Sequence, residues 1–288
     1  MSTKRTRARK NVLIVDGDPY AYQAAIRHEV AVQWEDGVAT AHVDTVQAVA
    51  DAADRIRKLA DKLKADAVLC LSCPTGRYFR NELGSYKAAR KVMVRPLNLR
   101  GIKQGLAEEF ETYIFPKLEG DDVIGILMTD PTFKPKQQKI SVSIDKDLRT
   151  IPGLFVNPDK FEEPILIDQR AADLWFHAQA IAGDLTDGYS GAPGFGMQTA
   201  FKLLENGLKV ETYLHTLERG PRKGDTEERK REIPASSLWE TVVSCYEAVG
   251  LNEDVALFNA RLARILTADL WDSEKQTPIL WTPKDGSL

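Results

Sequence analysis

The chain is poor in soft metal ligands and in disulfide partners. Of its 288 residues only three are cysteine (Cys70, Cys73, Cys245) and four are histidine (His28, His42, His177, His215). Three thiols are too few for a disulfide framework, and the CxxC formed by Cys70 and Cys73 has no second pair to close a zinc site. The histidines share no ligand spacing, which assigns them to packing or surface. Long apolar runs are missing as well. No stretch reaches the roughly 18 uninterrupted apolar residues that a membrane helix needs, and the N-terminal MSTKRTRARK lacks the apolar segment of a secretory signal. A cytoplasmic protein with reduced cysteines and no membrane partner is therefore expected.

What is present is an ordinary globular composition, 43% hydrophobic over 288 residues. That supports a sizeable core in one large or two smaller domains. There is no internal repeat. The net charge of −3 looks wrong for a nucleic-acid protein, but the distribution is uneven. From Arg77 to Lys103 eight basic residues face a single acid, Glu82. On its own this reads as a solvated basic face; its neighbours change that reading, because they are acidic.

Along the chain, NVLIVD (11–16) is an apolar, β-branched run that ends in Asp16, as a buried parallel strand ends at the carboxyl edge of its sheet. Ligands of α/β sheets bind at that edge. A helical pattern follows over 44–64, and ADAVLCLS (65–72) reads as the next strand, so the chain opens as a βαβ unit. KISVSIDKD (139–147) reads as a third strand, again ending in acids. PTFKPKQQK (131–139) and RGPRKGDTEERKRE (219–232) read as surface loops, the second charged and mobile, and the chain beyond Leu204 reads as amphipathic helices.

LEGDDVIGILM (118–128) sets Glu119, Asp121 and Asp122 directly against an apolar run. Acids in a first helical turn favour the macrodipole by about 0.3–1 kcal/mol each, which explains one or two of them. Three exceed it. SIDKDL adds Asp145 and Asp147, and IAGDLTDGYSG adds Asp184 and Asp187. With Asp16 these make eight candidate ligands. Eight gathered carboxylates repel one another unless divalent cations sit among them. Hard oxygen donors without a His or Cys pattern point to Mg²⁺ or Mn²⁺. Pairs of such ions about 3.5–4 Å apart serve in-line phosphoryl displacement, so the expected chemistry is phosphodiester hydrolysis.

Immediately after Asp187 comes GYSGAPGFGMQTAFKLL (188–204). Ser190, Gly191, Gly194 and Gly196, with Pro193, suggest a tight turn opening into a helix at Met197. Its backbone N–H groups would face a phosphate without sequence preference.

Asp16 after a strand, RYFRNELGSYKAARK, LEGDDVIG, SIDKDLRTIPG and GDLTDGYSGAPGFG occur in an order that resembles the flap endonuclease and 5′-to-3′ exonuclease family, in particular the 5′-to-3′ exonucleases of T7-like bacteriophages. The likeness runs from about Asn11 to Leu204 and returns at ARILTADLWDSEKQTPILWTP. It implies an α/β fold with a PIN-like, largely parallel central sheet flanked by helices. The nuclease domain would span 1–180 with a helical arch over about 77–117, and a helix-three-turn-helix and helical DNA-binding region would span 181–288.

By the same resemblance, Asp16, Glu119, Asp121 and Asp122 match a first metal group, and Asp145, Asp147, Asp184 and Asp187 a second. Tyr86, Lys87 and Arg90 match the arch motif that engages the scissile phosphate, and Arg80 a further arch-base cation. Arg77, Lys91 and Arg95 are assigned to DNA backbone attraction, together with the turn residues 190–196. The implied cofactors are two Mg²⁺, replaceable by Mn²⁺, with K⁺ at the helix-three-turn-helix. The implied partner is duplex DNA with a 5′ end or flap, or an RNA–DNA hybrid, in the cytoplasm of the host cell if the gene is a phage's.

One position departs from the pattern. The family carries a further Asp after the strand preceding the arch, where this chain reads LSCPTGRYFR, with Cys73 or Thr75 in its place. Two alternatives stand beside this reading. VDGD places Asp16 and Asp18 in a DxD, which with GDLTD loosely resembles haloacid-dehalogenase-type phosphatases. The missing Asp, in turn, suits a DNA-binding module with impaired catalysis.

Overall fold

The run NVLIVD folds as strand β1 (Asn11–Asp16) inside a six-stranded sheet. The structure is a computed structural model that describes residues 10–35, 37–84, 86–87, 95–160 and 163–283. The chain divides into two units. One comprises 1–79, 92–169 and 265–279; the other comprises 80–91, 170–264 and 280–288. None of the described helices is long and apolar enough to cross a membrane.

In the first unit β1 leads into α1 (Gly17–Arg27), an exposed hairpin of β2 (Glu29–Gln33) and β3 (Ala39–Val43), then α2 (Thr45–Lys62) and β4 (Ala65–Cys70). A short helix of the second unit, α3 (Arg80–Leu83), precedes α4 (Leu99–Glu109) and β5 (Glu111–Tyr113). There follow α5 (Gly120–Thr129), β6 (Gln138–Val142), β7 (Gly153–Val156) and β8 (Ile165–Ile167). The strand order is β5-β4-β1-β6-β7-β8, parallel throughout except that β8 runs against β7. β1 is paired on both edges and buried on both faces, which is why Val12, Leu13, Ile14 and Val15 are all apolar and fully buried ahead of the terminal Asp.

Side chains alternate across the strand. Leu13 and Val15 enter a core with Ala21, Ala24 and Ala25 of α1, Ala48, Ala52, Ala53 and Ile56 of α2, and Ile102 and Leu106 of α4. Alanines on the facing sides of α1 and α2 let the backbones approach closely. Burying a side chain the size of Ile56 contributes about 1.5–3 kcal/mol. Helix α5 packs against β1, β4 and β6, and Val123 and Ile124 are fully buried in it. Its last turn is held by Lys139, which departs from the expected surface connector: its ammonium donates to the carbonyls of Leu127 (2.9 Å), Met128 (3.3 Å) and Asp130.

The third predicted strand is shorter than expected. β6 stops at Val142, and Asp145 opens a 3₁₀ turn over Lys146–Thr150. The Asp145 amide donates to Ser143 Oγ (3.0 Å) and its carboxylate accepts from the Asp147 amide (2.9 Å). These local bonds compete with the ladder and end it.

The second unit holds α6 (Gln169–Ala182, from Arg170 onward), α7 (Met197–Glu205), β9 (Leu208–Thr216), β10 (Thr226–Pro234), α8 (Leu238–Glu247) and α9 (Glu253–Ala263). Phe176, Ile181, Leu203, Leu204, Val242, Cys245, Tyr246 and Leu262 form its core. The charged stretch expected as a mobile loop is in fact half of a ribbon, since β10 pairs antiparallel with β9 along nine residues each. Cross-strand charge replaces apolar alternation there: Arg231 lies 2.5 Å from Glu211 and its guanidinium stacks 4.9 Å over the Tyr213 ring. After α9 the chain returns to the first unit, where β11 (Trp271–Asp272) and β12 (Thr277–Pro278) make a small hairpin.

Candidate active site

Asp16 ends β1 and caps α1, its Oδ1 accepting from the Asp18 amide at 3.3 Å. Its Oδ2 accepts from Ser143 Oγ at 2.8 Å, and the Ser143 hydroxyl in turn accepts from the Asp145 amide. Asp16 is 7% exposed. Burial first, then the neighbouring Asp18 and Asp145 charges, raise its carboxyl to about 7 against the relief from Ser143. A carboxyl in this state calls for positive charge beside it.

On the other flank of β1, Ser72 follows β4 and repeats the arrangement. Its hydroxyl donates to Asp18 Oδ2 and accepts from the Gly120 amide at 2.9 Å, while its own amide lies 3.3 Å from the same Asp18 oxygen. Gly120 opens α5, between Glu119 and Asp121. A methyl group on it would sit 3.5 Å from an oxygen of Asp16 and 3.5 Å from an oxygen of Asp18, so the absent side chain leaves a gap between carboxylates. Beside it, Glu119, Asp121 and Asp122 bring ligand atoms within 4.8 Å of one another.

Asp122 is fully buried. Its Oδ2 accepts from the Glu119 amide (3.4 Å) and its Oδ1 from the amide of Leu266 (3.0 Å), in the segment that returns from the far end of the chain. Gly125 makes that return possible, because any side chain there would meet the Leu266 carbonyl at 2.3 Å. The C-terminal stretch ARILTADLWD is thus part of the acidic edge's support.

In the second unit, Asp184 Oδ1 accepts from the amides of Thr186 (2.8 Å) and Asp187 (3.3 Å). Asp187 receives the Tyr86 hydroxyl at 3.2 Å and lies 3.5 Å from the Lys87 ammonium, and the Lys87 amide donates to the Asp187 carbonyl at 2.8 Å. The two acids of GDLTD and the Tyr-Lys pair of the arch motif are therefore one cluster. Six of the eight predicted acids belong to the first unit and these two to the second.

Several expected DNA contacts have other work. Arg80 is 1% exposed. It donates through Nε to the Leu262 carbonyl (3.1 Å) and through Nη2 to that of Arg264, at the end of α9, and lies over the Tyr86 ring at 5.6 Å. A buried guanidinium bound to helix-end carbonyls fixes structure, where a phosphate-facing cation was expected. Gly191 is buried too: its amide donates to Asn259 Oδ1 at 3.1 Å, and a Cβ on it would stand 2.4 Å from the Ala182 carbonyl carbon. It closes the turn against α6, and its amide is already taken by Asn259. Ser190, Gly194 and Gly196 are exposed, Gly194 at φ +86°, and Gly196 leads into α7. Arg77 and Arg95 are exposed, and Arg90 and Lys91 lie outside the described residues.

The sequence pattern does not reveal Asp18, Ser72, Ser143 and Asn259 as parts of these clusters. Only Asp18 left a signal, the DxD of VDGD, which was read toward a different chemistry.

No family model matches the chain. It is 31% identical over 284 residues to the exodeoxyribonuclease of Enterobacteria phage T3, spanning 96% of this chain and 94% of that one. It is also 31% identical over 283 residues to the exonuclease of Escherichia phage T7, spanning 95% and 94%. The chain belongs to the family of the T3 and T7 phage exonucleases. A likeness running the length of both proteins excludes the phosphatase reading, which rested on two short acidic motifs. The fold of this exonuclease-family member also matches the bacteriophage T5 flap endonuclease solved as a pseudo-enzyme-product complex with DNA and metal ions. The TM-score is 0.54 at 13% identity, over 88% of each chain.

The residues present fit divalent ions. The donor set is all carboxylate oxygen, Asp16 is held in a state that disfavours its own charge, and the Gly120 gap opens between carboxylates.

Proposed function

We propose that the chain is a divalent-metal-dependent 5′-to-3′ exonuclease that also cuts 5′ flaps, in phage-type DNA replication or recombination. The end-to-end likeness to the T3 and T7 enzymes carries this reading, and the acidic edge of the first unit gives it a chemical basis. DNA with a 5′ end or flap is the substrate, with an RNA–DNA hybrid as a second candidate. Mg²⁺, replaceable by Mn²⁺, is assigned to the carboxylates, where two such ions supply positive charge to the phosphate and the attacking water. K⁺ at the α6–α7 turn is carried over from the family in the same way.

The reaction is direct hydrolysis. Water attacks phosphorus in line and the 3′ oxygen departs, leaving a 5′-phosphate and a 3′-hydroxyl without a covalent enzyme intermediate. The resemblance assigns Asp16, Glu119, Asp121 and Asp122 to a first ligand group, and Asp145, Asp147, Asp184 and Asp187 to a second. Ser143 holds one oxygen of Asp16 and the Asp18 amide the other, so that carboxylate is oriented before any ion arrives. The Lys87 ammonium, held beside Asp187 in the free protein, offsets charge on the phosphate in the transition state, with Tyr86 and Arg90 beside it in the motif. Ser190, Gly194, Gly196, Arg77, Lys91 and Arg95 attract the backbone of the duplex.

Incubating the protein with 5′-labelled duplex and 5′-flap DNA tests this directly. Short labelled products should appear with Mg²⁺ or Mn²⁺ and vanish in EDTA. DNA left intact in both metals, or cleavage indifferent to EDTA, refutes the reading.

A further inference from the structure

Lys103 places its ammonium 2.6 Å from Asp18 Oδ1. Its position is set by the fold, since its neighbour Ile102 and Leu106 one turn on are both fully buried. Asp18 is equally fixed. Its other oxygen takes the Ser72 hydroxyl, and the Ser72 hydroxyl takes the Gly120 amide, so the carboxylate is tied both to the end of β4 and to the start of α5. The Oδ2 of Asp18, the oxygen that takes Ser72, borders the same gap at Gly120 as Asp16 Oδ1 and the Cys70 carbonyl, while Lys103 rests on the other Asp18 oxygen. A built-in cation thus already rests on a carboxylate of the acidic edge. It does so beside Ser72, the residue before Cys73, at which the resemblance implies a further acid that this sequence lacks.

We propose that Asp18 is a ninth carboxylate of the metal centre, supplied from α1 in place of the acid missing at Cys73, and that Lys103 is its internal counter-ion, whose positive charge competes with a divalent cation for it. The proposal rests on the metal-dependent reading of the acidic edge. In the metal-free protein the ammonium relieves the repulsion between Asp18 and Asp16. An entering cation meets the ammonium's positive charge across the same carboxylate, so the apparent affinity for the ion is lower than the carboxylates alone would give. Asp18 acts here through charge and Lys103 as a positioning residue that never touches substrate.

Calorimetric titration of the full chain with MnCl₂, without DNA, separates the possibilities. The proteins are wild type, Asp16→Asn, Asp18→Asn, Lys103→Gln and the double variant Asp18→Asn/Lys103→Gln, with urea unfolding as a check that each is folded. Lys103→Gln should tighten Mn²⁺ binding about five- to tenfold, and Asp18→Asn should weaken it about tenfold or more. In the double variant the Lys103 change should have no further effect, because its partner charge is gone. Asp16→Asn should abolish tight binding in any case. If Asp16→Asn does so while Lys103→Gln and Asp18→Asn titrate like wild type, Asp18 is only an anchor for Ser72 and the proposal falls while the metal centre stands. If Asp16→Asn also binds like wild type, the metal-centre reading fails and takes the proposal with it.

Discussion

Asp16→Asn in metal-free protein should raise stability at pH 8 and leave it unchanged near pH 4. The substitution keeps the shape that meets Ser143 and the Asp18 amide, and removes the charge. In the folded chain the Asp16 carboxyl is raised from 3.8 to about 7, chiefly by burial and then by Asp18 and Asp145. Its protonated form is therefore favoured by folding. The contribution is fully present below about pH 4, is lost as pH rises toward about 7, and then levels off. At 1.36 kcal/mol per pKa unit, the ceiling on the difference between wild type and variant is about 4 kcal/mol. Urea unfolding in EDTA at half-unit steps from pH 4 to 8 measures it. Adding Mg²⁺ should return most of the lost stability to wild type and little to the variant. Parallel stability curves for the two proteins across that range would refute the account of Asp16 as a charge held against its own solvation.

Lys87→Ala should slow single-turnover cleavage at least about tenfold more than it weakens duplex binding by fluorescence anisotropy; equal losses would remove its role in chemistry. Arg80→Met should cost about 3 kcal/mol in urea unfolding, because it orphans the Leu262 and Arg264 carbonyls, and a cost under about 1 kcal/mol would contradict the buried anchor. Burial lowers His177 from 6.5 to about 4, so its contribution to stability is present above about pH 6.5 and falls by up to about 3 kcal/mol toward pH 4. His177→Gln should flatten that slope, read from thermal unfolding. Gly120→Ala adds a methyl at ordinary contact distance from Asp16 and Asp18, so it should leave the melting temperature unchanged and weaken Mn²⁺ binding; unaltered affinity would mean that the gap is not where the ion goes.

The strand that carries Asp16 was legible because a strand buried on both faces must be apolar throughout and can end in a carboxylate only at the sheet's edge. Glu119, Asp121 and Asp122 were legible because three acids in one turn outnumber what a helix dipole needs. β10 was not: TEERKREIP has no apolar face, and its pairing depends on charges supplied by the opposite strand. Arg80 and Gly191 misled for a related reason. Each occurs in a motif typical of nucleic-acid contact, and residue type alone does not reveal that Arg80 ends under α9 or that the Gly191 amide is taken by Asn259. Ser72 and Ser143 left no pattern, since a single hydroxyl near a carboxylate has no spacing to recognise.

The amide that Leu266 donates to Asp122 also bears on how the protein is made. The first unit is interrupted by the second unit and resumes only at residues 265–279. During synthesis the ribosome must therefore release nearly the whole polypeptide before Asp122 finds its last donor, because the chain grows from its N-terminus. A nascent chain stopped short of Leu266 would carry all eight predicted acids without the backbone that seats one of them, so cutting power should arrive with the final stretch of translation and not before.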